Sequence, residues 1–575
     1  MSAQMHGWGR RTAAFVTATA ALAVAAGTSP PRAVDWRAAP SGGVLRNMVT
    51  AVQSSTNPPG CDATWAFAAA SMLGDRLLVA AYTQREKLKT PTAAPYPLAT
   101  FLSPQVFVNC AGPAIGEETR RRIACDGSGS IRWALEMANT RGTVDATCMA
   151  YRGKAEQCDP VHVCVNCFGP CNPVPEYLVY NVTRFGRVSL ANPEALQTEI
   201  ASGGPVACKV RADPTLPTGD RPFHASVVGY RPDGTLIANP NFGTFSGNDT
   251  VGGGGFLLLP PQSVLECWWA TPHLHGRGTL GAVNGTVTHR PSAELIRIAD
   301  DAASPGVVGE RVARANANSG NAPDRERRSA AVAAELDWRL RVPLTPVRSH
   351  HVGPIYCGAC YSMATTSTYS DSLKIDRVHR RKESAAPDTV IAAQAVIDCV
   401  SPDRGCFGNN AGTVFGYMQR HGLPDWSCDP FVSAGFHRCA LDCLNCPVTA
   451  SSRDECAVAN GTRYRVASTT GPIKGEGAMI AALQHGPIEC MLLDSVPSFE
   501  GYTGGVICDR SNQTGHNHDV EIVGYRVVDG VDVWVGRNSW GTQWGMGGWF
   551  YLCRGRNNLG IESEGCYAVI PADDA

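Results

Sequence analysis

Four residues late in the chain could perform thiol chemistry together: Cys360, His518, Asn538 and Trp540. A cysteine attacks as its thiolate, which a helix N-terminus and a neighbouring imidazolium both favour. Cys360 follows the small pair Gly358-Ala359 and precedes YSMATTSTYSDSLKI, a stretch with helix-compatible spacing. His518, about 160 residues on, stands near the start of a strand pattern and is the candidate base. Asn538 comes on the next strand, where its amide could accept the other ring N–H and orient the imidazole. Trp540 could shield that hydrogen bond from water. Singly, each has a plainer explanation, since a cysteine in a CxxC pair is commonly a disulfide partner and a strand histidine a packed side chain. The order Cys…His…Asn-Ser-Trp-Gly carries the weight.

The cysteine count bears on the same thiol. There are 23, ten between Cys61 and Cys267 and thirteen between Cys357 and Cys566. That number belongs to an oxidising compartment, and an odd cysteine there is either an intermolecular link or a reactive group. Three pairs have zinc-like spacing, Cys164-x2-Cys167, Cys357-x2-Cys360 and Cys443-x2-Cys446. None is followed by the second ligand pair a zinc ribbon needs, so no metal and no cofactor is expected.

The elements that must position these residues occur twice. Asp35-Trp36-Arg37 recurs as Asp337-Trp338-Arg339, and CDATW at Cys61 matches CGACY at Cys357. LSPQVFVNC matches IAAQAVIDC, GGPVAC matches HGPIEC, and HASVVGY from His224 matches HDVEIVGY from His518. Five landmarks in one order imply a tandem duplication of a unit of about 240 residues. Helical spacing after Thr64 and Cys360, and period-two alternation through Val531, Val533 and Val535, make each unit helical early and β-rich late, an α+β arrangement.

CGAC at Cys357–Cys360, NHDVEIVGY from Asn517 and RNSWGTQWG from Arg537 resemble the active-site segments of papain-like cysteine peptidases. The resemblance covers nearly all of 336–572 and, more weakly, 34–275. HVGPIYCGAC from His351, YMQRHGLPDWSC and FEGYTGG are similar to the cathepsin X (cathepsin Z) branch, as is the clustering of Cys428, Cys439, Cys443, Cys446 and Cys456. The resemblance implies two papain-like two-lobed domains in tandem, each with a helical lobe and a β-barrel-like lobe and a cleft between them. It implies Cys360 as nucleophile, His518 as general base and acid, Asn538 as orienter, a disulfide Cys357–Cys406, and a second from Cys399 to a cysteine of the cluster, Cys439 foremost. Three departures stand out: His350 falls where the family has its oxyanion glutamine, Tyr361 replaces the usual tryptophan, and the glycine pair that meets substrate is reduced to Gly408-Asn409. His351 corresponds to the mini-loop histidine of cathepsin X, which implies a charge-assisted grip on a substrate's C-terminal carboxylate and hence carboxypeptidase rather than endopeptidase action.

In the first unit Thr64 occupies the nucleophile position. His224 stands for the base, Gln53 for the oxyanion glutamine, and NPNFG from Asn239 loosely matches Asn-Ser-Trp-Gly. A threonine hydroxyl is a poor substitute in a site shaped for sulfur, so this unit reads as a pseudoenzyme.

The remaining features set the surroundings. A net charge of -1 gives no reason to expect a nucleic-acid partner. Residues 1–27 have Arg10-Arg11, an apolar run from Ala13 to Ala26 and Ala23-Val24-Ala25, the pattern of a cleaved secretory signal. No later segment is apolar enough to span a bilayer, and five N-x-S/T sequons (Asn181, Asn248, Asn284, Asn460 and Asn512) suit a glycoprotein of the secretory route. The expected division is a signal (1–27), a pseudopeptidase domain (34–283), a linker and candidate propeptide (284–335) and a peptidase domain (336–575). Peptides or proteins are the expected substrates, a lysosome-like or extracellular space the expected location, and contact between the two domains is expected within the chain. The competing reading is a non-catalytic binding or matrix protein built on two peptidase folds.

Overall fold

A computed structural model of the chain describes residues 29–41, 44–88, 101–249, 254–280, 335–383, 388–400, 404–435, 439 and 441–572. The expected signal, and the expected linker apart from Glu335, lie outside the described residues.

Each unit lays a helical layer against a twisted sheet. In the first, helix α1 (Thr64–Leu88) is the long central element. The strands are β1 (Val34–Asp35), the small hairpin β2 (Val165–Asn166) and β3 (Asn172–Pro173), then β4 (Tyr177–Arg187), β5 (Val206–Val210), β6 (Phe223–Tyr230), β7 (Leu236–Asn239), β8 (Leu257–Leu259) and β9 (Val264–Gly278). The main sheet runs β8-β7-β6-β5-β9-β4, with β1 on β6. In the second unit, helix α2 (Cys360–Ile375) faces β10 (Leu336–Asp337), β11 (Val466–Ile473), β12 (Ile488–Leu492), β13 (Val506–Ile507), β14 (His518–Val528), β15 (Val531–Arg537), β16 (Trp549–Cys553) and β17 (Cys566–Pro571). Its order is β11-β17-β12-β14-β15-β16-β13, with β10 on β14. The expected α+β class, with two similar units in tandem, is what the chain adopts.

The same physical devices recur in both. Trp36 and Trp338 are buried, and their indole N–H groups donate to Ile200 and Leu483 carbonyls at 2.8 and 2.9 Å. Cys208–Cys267 ties β5 to β9, and Cys490–Cys566 ties β12 to β17. Each unit has one core on its helical side, around Phe67 and Phe107 or Tyr369 and Phe415. A second lies on its sheet side, around Phe223 and Tyr230 or Ile522 and Trp534.

Helix α2 is buried along nearly its whole length, so it shows no amphipathic stripe. Three of its hydroxyls bond within the helix: Thr365, Thr366 and Ser370 each donate to the carbonyl four residues earlier, at 2.6 Å. Asp371, also buried, accepts from the Thr345 backbone at 2.6 Å and pairs with Arg537 at 2.7 Å. This pair fixes the helix that starts at Cys360 against the strand that ends one residue before Asn538.

Candidate active site

Eleven disulfides account for every cysteine except Cys360. Among them are the two expected bridges, Cys357–Cys406 and Cys399–Cys439. The odd thiol is the first residue of α2 and is half-buried.

Across from it, β14 begins with His518 and β15 leads into Asn538. Antiparallel pairing of these strands, Glu521 opposite Arg537, brings the two side chains together. His518 Nε2 lies 2.8 Å from Asn538 Oδ1, the distance of an N–H donated to an amide oxygen. That tautomer leaves Nδ1 as the proton acceptor, and Nδ1 lies 3.6 Å from Asp494 Oδ2. The Trp540 ring sits 5.1 Å from the imidazole, and Phe499 lies 6.1 Å away on another side, so the hydrogen bond is roofed by apolar rings.

One neighbour of the thiol is absent from the sequence reading. The Cys360 thiol donates to Asp519 Oδ2 at 3.7 Å. Burial first, and then the Asp519 carboxylate, push the thiol well above its ordinary value. Asp519 is itself raised by burial, as is Glu489 on the adjoining strand, where Asp519 adds to the effect. The signal was present in HDVEIV and PIEC: charged residues inside otherwise apolar strands, each of which must face something specific when buried.

His350 and His351 are both brought to this place. His350 N–H donates to Ser539 O at 3.0 Å, and its ring lies 6.1 Å from His518. Its Nδ1 is buried without a hydrogen-bond partner, as is His351 Nε2. His351 stacks on Trp540 at 5.7 Å. Burial pulls His351 down to about 3 and His350 well below its usual range. Burial thus disfavours the imidazolium form of His351, so in the expected hydrogen bond the charge would come from the substrate carboxylate. Gly408 has φ +84°, a conformation that favours glycine, and a side chain there would meet open space. Tyr361, buried in place of a tryptophan, donates its hydroxyl to Gly405 O at 2.8 Å.

In the first unit, strand register corrects three expectations. Cys208 pairs with Ala225 as Cys490 pairs with Val520, so Phe223 holds the place of His518. His224 then falls at the place of Asp519, one residue off the base position. Asn239 pairs with Ser226 as Arg537 pairs with Glu521, which puts Asn239 at the arginine's place and Pro240 at that of Asn538. Gln53 O accepts from Gly243 as Arg348 O accepts from Gly541, so the counterpart of His350 is Ser55, not Gln53. The physical reason is that HASVVGY is one residue shorter than HDVEIVGY, and a slip of one turns every strand side chain over. His224 Nδ1 still lies 3.1 Å from Thr64 Oγ1, but burial depresses the ring to about 3.

The profile of the papain family cysteine protease matches residues 30–216 and 332–569, and the chain belongs to that family. It is similar to cathepsin Z of Onchocerca volvulus, 31% identical over 240 residues, spanning 38% of this chain and 71% of that protein. It is 27% identical to cysteine proteinase 2 of Entamoeba histolytica over 237 residues, 40% of this chain and 67% of that protein. Cathepsin K of Mus musculus is 29% identical over 236 residues, 40% of this chain and 61% of that protein. Eleven disulfides accord with an oxidising secretory, lysosomal or extracellular setting. Among the described residues no helix is long and apolar enough to cross a membrane.

Proposed function

We propose that residues 336–575 form a cysteine peptidase acting through an acyl-enzyme on Cys360, as a carboxypeptidase, and that residues 34–283 are a duplicated, inactive partner. The observation that carries the reading is one free thiol among 23 cysteines at the start of a helix packed on the strand whose first residue is a buried imidazole held by Asn538. In this scheme His518 Nδ1 takes the thiol proton as sulfur attacks the scissile carbonyl carbon. The developing oxyanion accepts from His350, standing in for an amide donor. His518 returns the proton to the leaving amine, leaving a thioester. Water then gives a proton to His518 and attacks the thioester, releasing the acid and restoring the thiol. Throughout, Nε2–H stays on Asn538. Gly408 offers backbone to the acyl side of the substrate, and His351 with Trp540 receives the leaving residue and its carboxylate.

The inactivity of the first unit is supported by Phe223, Pro240 and Thr64 at the three catalytic places. A standing contact between the units is supported by Thr542 Oγ1 donating to Asp145 Oδ2 at 2.7 Å, Trp426 Nε1 to Val52 O at 3.0 Å and Asn57 Nδ2 to Cys428 O at 2.7 Å. A secreted or lysosome-like location completes the reading.

Asp519 beside the thiol favours the alternative, a non-catalytic binding or matrix protein. An epoxysuccinyl thiol-protease probe separates the two. Peptidase function requires that the probe modify Cys360 alone, and no label on the matured protein would leave the binding reading. Amidating a peptide's C-terminus should sharply reduce turnover, whereas equal turnover of the amide would make the enzyme an endopeptidase.

A further inference from the structure

Beside Trp540 lies a cavity of about 550 Å³ whose walls come from both units. The second unit supplies His351, Trp540, Trp544 and Glu500, and the first supplies Phe168 and Glu176. Phe168 sits on the turn between β2 and β3. Its ring lies 5.3 Å from that of His351 and 6.1 Å from that of Trp540.

The turn is built rather than loose. Cys167–Cys171 closes it, and Cys148–Cys164 anchors β2's approach. Cys167 N–H donates to His351 O at 2.8 Å, and Arg152 Nη2 donates to Val352 O at 3.0 Å. Two successive carbonyls of the loop carrying His351 are thus satisfied by the first unit, which holds the loop and the cavity wall together. Among the lining residues, His351 Nε2 and Trp540 Nε1 are ring nitrogens buried without hydrogen-bond partners. Such donors are costly to bury unless something fills the site.

We infer that this cavity is a leaving-group subsite shared by the two units, and that it takes a C-terminal residue with a cationic side chain, lysine or arginine. The inference rests on the peptidase reading above. The two orphaned N–H groups match the two oxygens of a terminal carboxylate. Aromatic faces of Phe168 and Trp540 suit the stem and head of a basic side chain. Glu176 and Glu500, one from each unit, supply the counter-charge, and no lysine or arginine lines the cavity. An acidic side chain would meet two carboxylates there, and a neutral one would leave them unanswered.

The test uses the full-length Cys360→Ala protein and calorimetric titration with peptides identical except for a final Lys, Leu or Glu. The lysine peptide should bind about tenfold or more tighter than the glutamate peptide, the scale of one cation–aromatic contact with an ion pair. Glu176→Gln, at an exposed position, should cut that preference to about threefold or less. Phe168→Ala should weaken the lysine peptide most. Equal binding of all three peptides, or a preference untouched by both first-unit substitutions, overturns the shared subsite. The wild-type protein with the epoxysuccinyl probe reports separately on the peptidase reading. No label with the lysine preference intact sinks only that reading; label without the preference sinks only the subsite.

Discussion

Asp519 sets the reactivity of the site as much as the residues that would do the chemistry. Burial raises the thiol first, and a carboxylate 3.7 Å from a sulfur that must become negative raises it further. At an effective dielectric of about 20, two charges 4 Å apart interact by roughly 4 kcal/mol, an upper scale for the effect. Asp519 and Glu489 are themselves raised, so on the acid side they hold protons and the opposition weakens. Asp519→Asn is therefore expected to move the midpoint of the pH profile for iodoacetamide alkylation of Cys360 down by about 1–3 units. Its effect should be larger at pH 8 than at pH 5. A profile unmoved by the substitution would mean the carboxylate does not act on the sulfur.

At the scale of elements, α2 and β15 are pinned by a buried charge cluster. Arg537 pairs with Asp371 from the helix and with Glu521 from β14, all three nearly inaccessible to solvent. Removing one member of such a cluster leaves an uncompensated charge, which costs about 3–5 kcal/mol. Asp371→Ala should lower the unfolding free energy from urea titration by that amount and loosen the distance between Cys360 and Asn538, since both hang from the pinned elements. An unfolding free energy within about 1 kcal/mol of wild type would mean that Glu521, relieved of Asp371, ionises and compensates Arg537. The first unit uses neutral partners at the same places: Asp75 accepts from Thr50 N at 2.7 Å and from Ser226 Oγ at 3.3 Å, with Asn239 where the arginine would be.

For the whole molecule, the buried acids and histidines make stability depend on pH. Burial raises Asp75 and Asp429 to about 7 and Glu521 to about 8. A raised acid stabilises fully below its unfolded value, and the contribution is lost as pH climbs through the folded value. His224 and His351, depressed to about 3, act oppositely: their penalty grows as pH falls below about 6.5. Between about pH 4 and 6.5 the two sets oppose each other. From 6.5 to 8 only the acids differ between folded and unfolded chains, each by about 1.4 kcal/mol per pH unit until its folded value is passed. The melting temperature should therefore fall between pH 6.5 and 8, by about 2–4 °C per kcal/mol lost. Scanning calorimetry at the two pH values checks it; a rise would contradict the burial of these acids.

The sequence by itself determined the repeat, the odd thiol, the α+β class and the segments around Cys360, His518 and Asn538. These depend on composition, counting and local period, which survive without knowledge of any distant contact. Two disulfides were legible through resemblance, while the others needed the fold to choose among many pairings. Only the tertiary structure decided that Phe223 takes the register place of His518, while His224, at the place of Asp519, is the residue that reaches Thr64. A strand's register is set by its pairing, and one missing residue reverses its faces without altering its composition. Likewise HDVEIV and PIEC show charged residues within apolar strands, but only the fold sets Asp519 against the thiol and Glu489 beside Asp519, because α2 packs on β14 and β14 pairs with β12. The Phe168 wall is further still from local pattern, since it requires one unit to reach the other across about 190 residues of chain. Contacts of that range cost chain entropy to form and are specified by packed surfaces, not by any segment's own sequence.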